Sequence, residues 1–356
     1  MHKQPIFFLG FGGVGRALLK QILEARVLHR SRNGLKLDVI GIADSAGALT
    51  SEKPLSDAAL QKALQTKIDT GRLPGTAATR ANMRAMVAAL PKNAIVVDTS
   101  ASAATVPALI QARRRGCGVV LANKIPLAGE LSWWDAIADE RSRWETTCGS
   151  AMPVISTLGT LLDSGDTVHR IEGTLSGTLG YVCSQLEAGV KFGDAVRDAK
   201  MRGYTEPDPR QDLGGLDVAR KALILARMLG YRLEMKNVKV ESLYPKQMDK
   251  FSVDDFMRDV DSLNGPMADR VAELTTDGHK LRYAAVIENG KLKAGFVGAD
   301  PASKLGTSRT SDSVVVFHTR HFTDNPLTVS GRGAGQEVTA SGVLGDIVNL
   351  SRSMVE

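Results

Sequence analysis

Asp217 and Lys221 stand four residues apart in a stretch whose apolar residues, Leu216, Ala219, Leu223, Ile224 and Ala226, recur at helical spacing, so an acid and an amine share one face of a helix. An exposed pair at that spacing is an ordinary surface ion pair. Here Val218-Ala219 and Ala222-Leu223-Ile224-Leu225-Ala226 make the helix apolar nearly all round, which reads as buried, and buried charges persist mainly when paired or functional. The segment before it, Gly203 to Gly215, holds two prolines and two adjacent glycines that fix a loop and load Glu206, Asp208 and Asp212 into a few residues. The pattern predicts a polar pocket in which a lysine can stabilise a developing oxyanion and exchange a proton with it.

A second set of chemistry-bearing residues lies near the start. Pro5-Ile6-Phe7-Phe8-Leu9 is a short apolar strand that delivers Gly10-Phe11-Gly12-Gly13-Val14-Gly15, and an amphipathic helix follows through Ala17-Leu18-Leu19 to Ile22-Leu23. Gly10 permits the tight turn, Gly12 lets the backbone approach a pyrophosphate, and Gly15 lets the helix pack close, with the helix N-terminus facing the phosphates. That context marks a dinucleotide site. The second strand, Leu37 to Ala43, ends in Asp44, where a carboxylate receives the adenosine ribose hydroxyls and favours NAD. The competing reading of Asp44 is a helix N-cap. Lys53 and the nearby arginines offer a seat for a 2′-phosphate instead, so NAD and NADP both stay open.

These residues need a sheet and helices to hold them. Leu28 to Gly34, rich in Arg and His, reads as a loop insertion between first helix and second strand, and Ser45 to Met86 as mixed helix and loop without recognisable chemistry. Ala94-Ile95-Val96-Val97-Asp98 is a buried parallel strand, and Thr99-Ser100-Ala101-Ser102 puts hydroxyls at its carboxyl edge, where open α/β folds bind ligands. A helix from Val106 closes on Arg113-Arg114-Arg115, where cations suit the carbonyl end, and the strand Cys117 to Ala122 ends in Asn123-Lys124 at the mouth of the cleft. Trp133-Trp134 read as packing residues. Farther on, His169 to Leu175 is a strand leading to Ser176-Gly177-Thr178, which opens a helix with Thr178 as its cap; another helix runs from Phe192 to Met201. Val238 to Phe256 has no tidy period. Glu288-Asn289-Gly290 between two alternating runs is a hairpin, and Val314 to Phe317 and Leu327 to Val329 add strands. Gly331 to Gly335 opens a final helix. The expected fold is α/β: a Rossmann-type parallel sheet over residues 1–150, a second α+β domain over 151–330 with a mixed or antiparallel sheet suited to pairing subunits, and a C-terminal helix over 331–356.

Bulk composition excludes several classes. The 356 residues, 43% hydrophobic and 24% charged, suffice for two domains with sizeable cores and fit neither a disordered nor a fibrous protein. The net charge of +6 is spread along the chain, with Arg113-Arg114-Arg115 its one tight run, which argues against nucleic acid and for a mild attraction toward anionic small molecules. Cys117, Cys148 and Cys183 have no metal-type spacing and imply a reducing compartment. No apolar run reaches membrane-spanning length, and the first residues enter a strand at once, so no membrane partner and a cytoplasmic location are expected.

The stretch YTEPDPRQDLGGLDVARKALILA, with GTLSGTLGY before it and GRGAGQEVTASGVLGD after it, resembles the homoserine dehydrogenase family over nearly the whole chain. The resemblance implies a monofunctional enzyme without a regulatory C-terminal domain, converting L-homoserine to L-aspartate 4-semialdehyde and back with NAD or NADP, in the biosynthesis of threonine, methionine and isoleucine. It implies that Glu206, Asp212 and Asp217 receive the substrate's ammonium and hydroxyl, with Tyr204 adding a phenol and Gly177 and Thr178 also meeting the amino acid. Lys221 is the first choice as acid/base and Lys124 the second, with a share in binding the substrate carboxylate. Gly10, Phe11, Gly12, Gly13, Val14, Gly15, Asp44 and Lys124 fall to the cofactor, with Thr99 and Ser100 against its nicotinamide half and Gly335 facing it from the last helix. A monovalent cation such as sodium would be held, largely through carbonyls, at Glu145, Cys148, Ser150 and Met152. A homodimer is the family expectation. Ser311-Asp312-Ser313 departs from the asparagine that the pattern leads to before the next strand, on the cofactor side.

Two other readings compete. One is another two-domain amino-acid dehydrogenase, such as an aspartate dehydrogenase acting on the α-amine; the other is an NAD(P)-sensing regulator without chemistry. Loss of Lys221, Glu206 or Asp217 would favour the regulator, and all three are present.

Overall fold

The structure, a computed structural model, describes residues 1–74, 80–308 and 312–354, which leaves Ser311 and the last two residues of the expected C-terminal segment outside the described residues. The chain divides into two compact units, Met1–Ala151 with Ala334–Glu356, and Met152–Gly333.

The first unit is built on a six-stranded sheet: β1 (His2–Leu9), β2 (Leu35–Asp44), β3 (Gly47–Thr50), β4 (Ile95–Asp98), β5 (Gly118–Leu121) and β6 (Ser142–Arg143), in the order β3-β2-β1-β4-β5-β6. All neighbours are parallel except the edge pair β2 and β3. The chain steps from β1 outward to β2, then returns to the far side of β1 for β4, so the loops after β1 and β4 part at a topological switch point, the ligand crevice of such sheets. The central strands are apolar on both faces because helices cover both, and Ile6, Phe8, Ile95 and Val97 are fully buried. The C-terminal helix Gln336–Ser353 belongs to the same core: Ala340, Val343 and Ile347 pack in one cluster with Ile6, Leu18 and Ile22.

One expectation and one competing reading fail here. The segment read as a loop insertion contains the helix Arg26–Asn33, closed by Gly34 in the left-handed conformation (φ 62°) and anchored by buried His29. Asp44 caps no helix. A tight turn follows it into β3, a strand that exists only as the antiparallel partner of β2.

The second unit holds β7 (Val168–Thr174), β8 (Val238–Val240), β9 (Lys280–Glu288), β10 (Lys291–Ala299), β11 (Ser313–Thr319) and β12 (Leu327–Gly331), ordered β12-β11-β7-β9-β10-β8 and antiparallel apart from β8 beside β10. The β9–β10 hairpin turns at Asn289 (φ 49°) and Gly290 (φ 72°), the positive angles of a two-residue turn that suits the sheet's twist. Ile171, Tyr283, Ile287 and Phe296 form a buried face against the helices Gly177–Glu187 and Leu216–Met228. On the opposite face Arg170, Glu172, Val286, Lys293 and His318 are half-buried, with Arg170 and His318 both on Glu172 at 2.8 and 3.1 Å.

Candidate active site

In the first unit the cradle forms around Gly10, which follows β1 with φ 93°; a Cβ there would lie 2.6 Å from the Ser100 backbone nitrogen, so the loops after β1 and β4 close only on glycine. Thr99 ties the two, its N–H donating to Leu9 O and its hydroxyl to Gly10 O, both at 2.8 Å. A Cβ on Gly15 would meet Gly10 O at 2.7 Å, whereas nothing lies within 4 Å of one on Gly12. The helix Gly13–Glu24 thus presents N–H groups, with no side chain capping them, beside open space at Gly12, which fits a pyrophosphate. Phe11 is fully buried edge-on to Phe8 and Val14 packs against the core, so these two offer backbone rather than side chain. Gln336, following Gly335 (φ 125°), lies over Gly13.

Asp44 is engaged on both oxygens: one accepts the Ala46 N–H at 2.7 Å, the other pairs with Lys67 at 2.7 Å. Lys53, the cation the sequence suggested, is exposed, and Lys67 on the helix Asp57–Thr70 is the one that reaches Asp44. Lys124 follows β5 as the half-buried first residue of a turn into the short helix Ile125–Ala128. Trp133 and Trp134 pack, the latter edge-on to Trp144 at 5.7 Å.

The segment named for a cation runs from the 3-10 turn Glu145–Thr147 through buried Cys148 to Gly149 (φ 107°) and Ser150 (φ 59°), two positive angles in succession; buried Met152 begins the second unit. Ser150 Oγ lies 2.9 Å from Thr339 Oγ1, and the Glu145 N–H donates to Asp346 at 2.9 Å. Burial, with Glu145 repelling, pushes the Asp346 carboxyl up to about 7.

In the second unit the acid-rich loop, the short helix Arg210–Leu213 and the helix Leu216–Met228 gather the other candidates. Lys221 is 8% exposed; its Nζ lies 2.8 Å from Asp217 Oδ2 and donates to Leu175 O at 2.5 Å. Gly215 starts that helix at φ 70°, and a Cβ would strike the Tyr283 hydroxyl, which itself donates to Glu241 O at 2.7 Å. Asp212 accepts the Glu206 N–H at 2.8 Å and the Thr178 hydroxyl at 3.2 Å. Burial raises its carboxyl above the usual carboxylate range, Glu206 and Asp217 push the same way, and those two donors oppose them. Thr178 also donates to Tyr204 O, and the cap of the helix Gly177–Glu187 is Ser176, not Thr178. Nothing lies within 4 Å of a Cβ on Gly177, and Tyr204, half exposed, stacks edge-on to Tyr181 at 5.0 Å. The acid cluster thus sorts itself. Glu206, Asp212 and Asp217 are close enough to repel, whereas Arg210 grips Asp208 at 2.7 and 2.9 Å and holds its carboxyl below the usual range. Arg210 also donates to Met248 O and Phe251 O, both at 2.8 Å, making it the clamp of the loop, a role its sequence neighbours gave no hint of.

Comparison with known proteins agrees with both halves. The family model described as "Homoserine dehydrogenase, NAD binding domain" matches residues 10–148, and the one described as "Homoserine dehydrogenase" matches residues 153–348. The homoserine dehydrogenase of Saccharomyces cerevisiae is 31% identical, the match covering 97% of each chain. The chloroplastic bifunctional aspartokinase/homoserine dehydrogenase 1 of Zea mays is 34% identical over 96% of this chain, which spans 38% of that longer protein. Among solved structures, a Candida auris protein of unknown function superposes with a TM-score of 0.86 at 27% identity, covering 99% of both chains. The cradle, the lysine–aspartate pair and the span of these matches together place the chain in the homoserine dehydrogenase family.

Proposed function

We propose that the chain interconverts L-homoserine and L-aspartate 4-semialdehyde with NAD or NADP. The observation that carries this reading is the buried Lys221 ammonium held by Asp217 and Leu175 O beside the Glu206 and Asp212 carboxylates. The glycine cradle, Asp44, Thr99 and Ser100 hold the dinucleotide, with Gly335 at the start of the last helix. The dinucleotide held there would supply the nicotinamide as hydride acceptor for the substrate's hydroxyl-bearing carbon, and as hydride donor in the reverse direction. Glu206 and Asp212 hold the substrate ammonium, with Thr178, Tyr204 and open Gly177 around it. In reduction Lys221 donates its proton to the oxygen that gains charge as the aldehyde is reduced; in oxidation its neutral amine takes the hydroxyl proton, and Asp217 steadies the resulting ammonium. Lys124 is assigned to the substrate carboxylate and to orienting the reacting oxygen.

The same reading assigns 1–150 to the cofactor, 151–330 to substrate and dimerisation, and 331–356 to a helix returning to the cofactor domain. A sodium-sized cation on carbonyls of Glu145, Cys148, Ser150 and Met152 belongs to the same reading. So does a cytoplasmic homodimer, paired through the sheet of the second unit. No helix among the described residues is long and apolar enough to cross a membrane.

The deciding experiment is initial rates with L-homoserine plus NAD or NADP, L-aspartate and L-malate as controls, for wild type and Lys221→Ala. Homoserine turnover that falls by about 10³-fold in the variant, with dinucleotide binding intact, supports the assignment. No turnover with either cofactor sinks it, and turnover surviving in the variant moves the proton to Lys124.

A further inference from the structure

At the ends of β4 and β5 sit two polar side chains that the reaction as described leaves unused: Asp98, fully buried, and Asn123, 2% exposed. Asp98 accepts from the Ser100 N–H at 2.9 Å, the Thr105 hydroxyl at 2.7 Å and the Asn123 amide at 3.0 Å. The same Asn123 amide nitrogen reaches Ser102 O at 2.9 Å and Ser100 Oγ at 3.2 Å. Its oxygen accepts the Ile125 N–H at 3.1 Å, an Asx turn spanning Lys124. Beyond that turn the Leu127 and Ala128 N–H groups donate to Lys124 O at 3.1 and 2.9 Å. Lys124 is therefore fixed through its backbone from both sides, and its turn is stitched by one amide to the loop bearing Ser100. Burying a carboxylate among neutral donors is unfavourable, and burial raises the Asp98 carboxyl against the pull of those donors. An arrangement this demanding is out of proportion for a lysine that merely begins a surface loop.

We propose that Asp98 and Asn123 are positioning residues: Asp98 orients the Asn123 amide, and Asn123 sets Lys124 for the reaction. The role rests on the reading of Lys124 as an active-site residue, and the test separates the two.

Initial rates, the Kd of the reduced dinucleotide from its fluorescence, and thermal midpoints are compared for full-length wild type, Asn123→Ala, Asn123→Ser, Lys124→Ala and the double variant Asn123→Ala with Lys124→Ala. Asn123→Ala is expected to lower kcat about tenfold or more while the Kd stays within about threefold, and the double variant to be no slower than Lys124→Ala alone, because residues acting as a unit are not additive. Asn123→Ser keeps an oxygen for the Ile125 N–H and recovers part of kcat, which also covers an alanine variant that does not fold. Losses that multiply in the double variant, or wild-type kcat per folded molecule in both Asn123 variants, overturn the proposal: the network then only stabilises the sheet edge. Wild-type kcat in Lys124→Ala removes Lys124 from the site and the positioning role with it.

Discussion

The chemistry of the second unit comes down to how three carboxylates divide their labour around one lysine. Asp217 is spoken for by Lys221 at 2.8 Å, and Glu206 lends its backbone N–H to Asp212. Asp212 is the buried one, and its proton affinity is raised by that burial. It therefore takes up a proton as the pH falls while an ordinary aspartate, titrating near 4, is still ionised. Protonated Asp212 cannot attract the substrate ammonium, so kcat/KM for homoserine is expected to fall on the acid side at a higher pH than an ordinary aspartate would impose, free-enzyme groups being the ones this ratio reports. Asp212→Asn should remove that limb and lower the plateau about 10–100-fold, the loss of a charge-assisted contact. A pH–rate profile of the two proteins decides it: an acid limb unchanged in the variant assigns the titration to another group.

At the scale of elements, the helix Leu216–Met228 matters less for its own residues than for how it starts. Gly215 holds a left-handed angle against the Tyr283 hydroxyl, which aims the whole helix and with it Lys221. Gly215→Ala should destabilise the chain by about 1–2 kcal/mol from handedness alone. The crowded hydroxyl adds to this, so Gly215→Ala should cost less in a Tyr283→Phe background than in wild type, each variant being compared with its own parent by urea titration; equal costs in the two backgrounds would place the strain elsewhere. The helix itself was legible in the sequence because a four-residue spacing and an apolar surround are local signals. So were the glycine loop and the Asn289-Gly290 hairpin. The helix Arg26–Asn33 was hidden by its charges, although Gly34 after Arg30 and Arg32 is the signature of a helix end. The strand Gly47–Thr50 has no pattern of its own and forms only because β2 offers an edge. Asp98 and Asn123 meet across 25 residues of sequence, as do Asp44 and Lys67 across 23, and no local spacing announces such pairs.

For the whole molecule, the notable feature is that the first unit is made of two pieces of chain with the second unit between them. The returning helix is a wall of the core rather than an appendage: Ile347 is fully buried in the cluster that holds Ile6, Leu18 and Ile22. Ile347→Ala should therefore cost about 2–5 kcal/mol, the range for a large-to-small change in a core. Differential scanning calorimetry would show it as a lowered transition for the first unit, and an unshifted transition would contradict the helix's place in that core. The order of synthesis adds a further consequence. Residues 334–354 leave the ribosome only after all of 152–333, so the second unit is complete while the first still lacks one side of its core. A nascent chain in that interval carries one finished domain and one with Leu18 and Ile22 open to solvent, the kind of surface that aggregates and that chaperones hold. Stalling between Gly333 and Ser353 would thus leave the half that is first in the sequence as the last to fold.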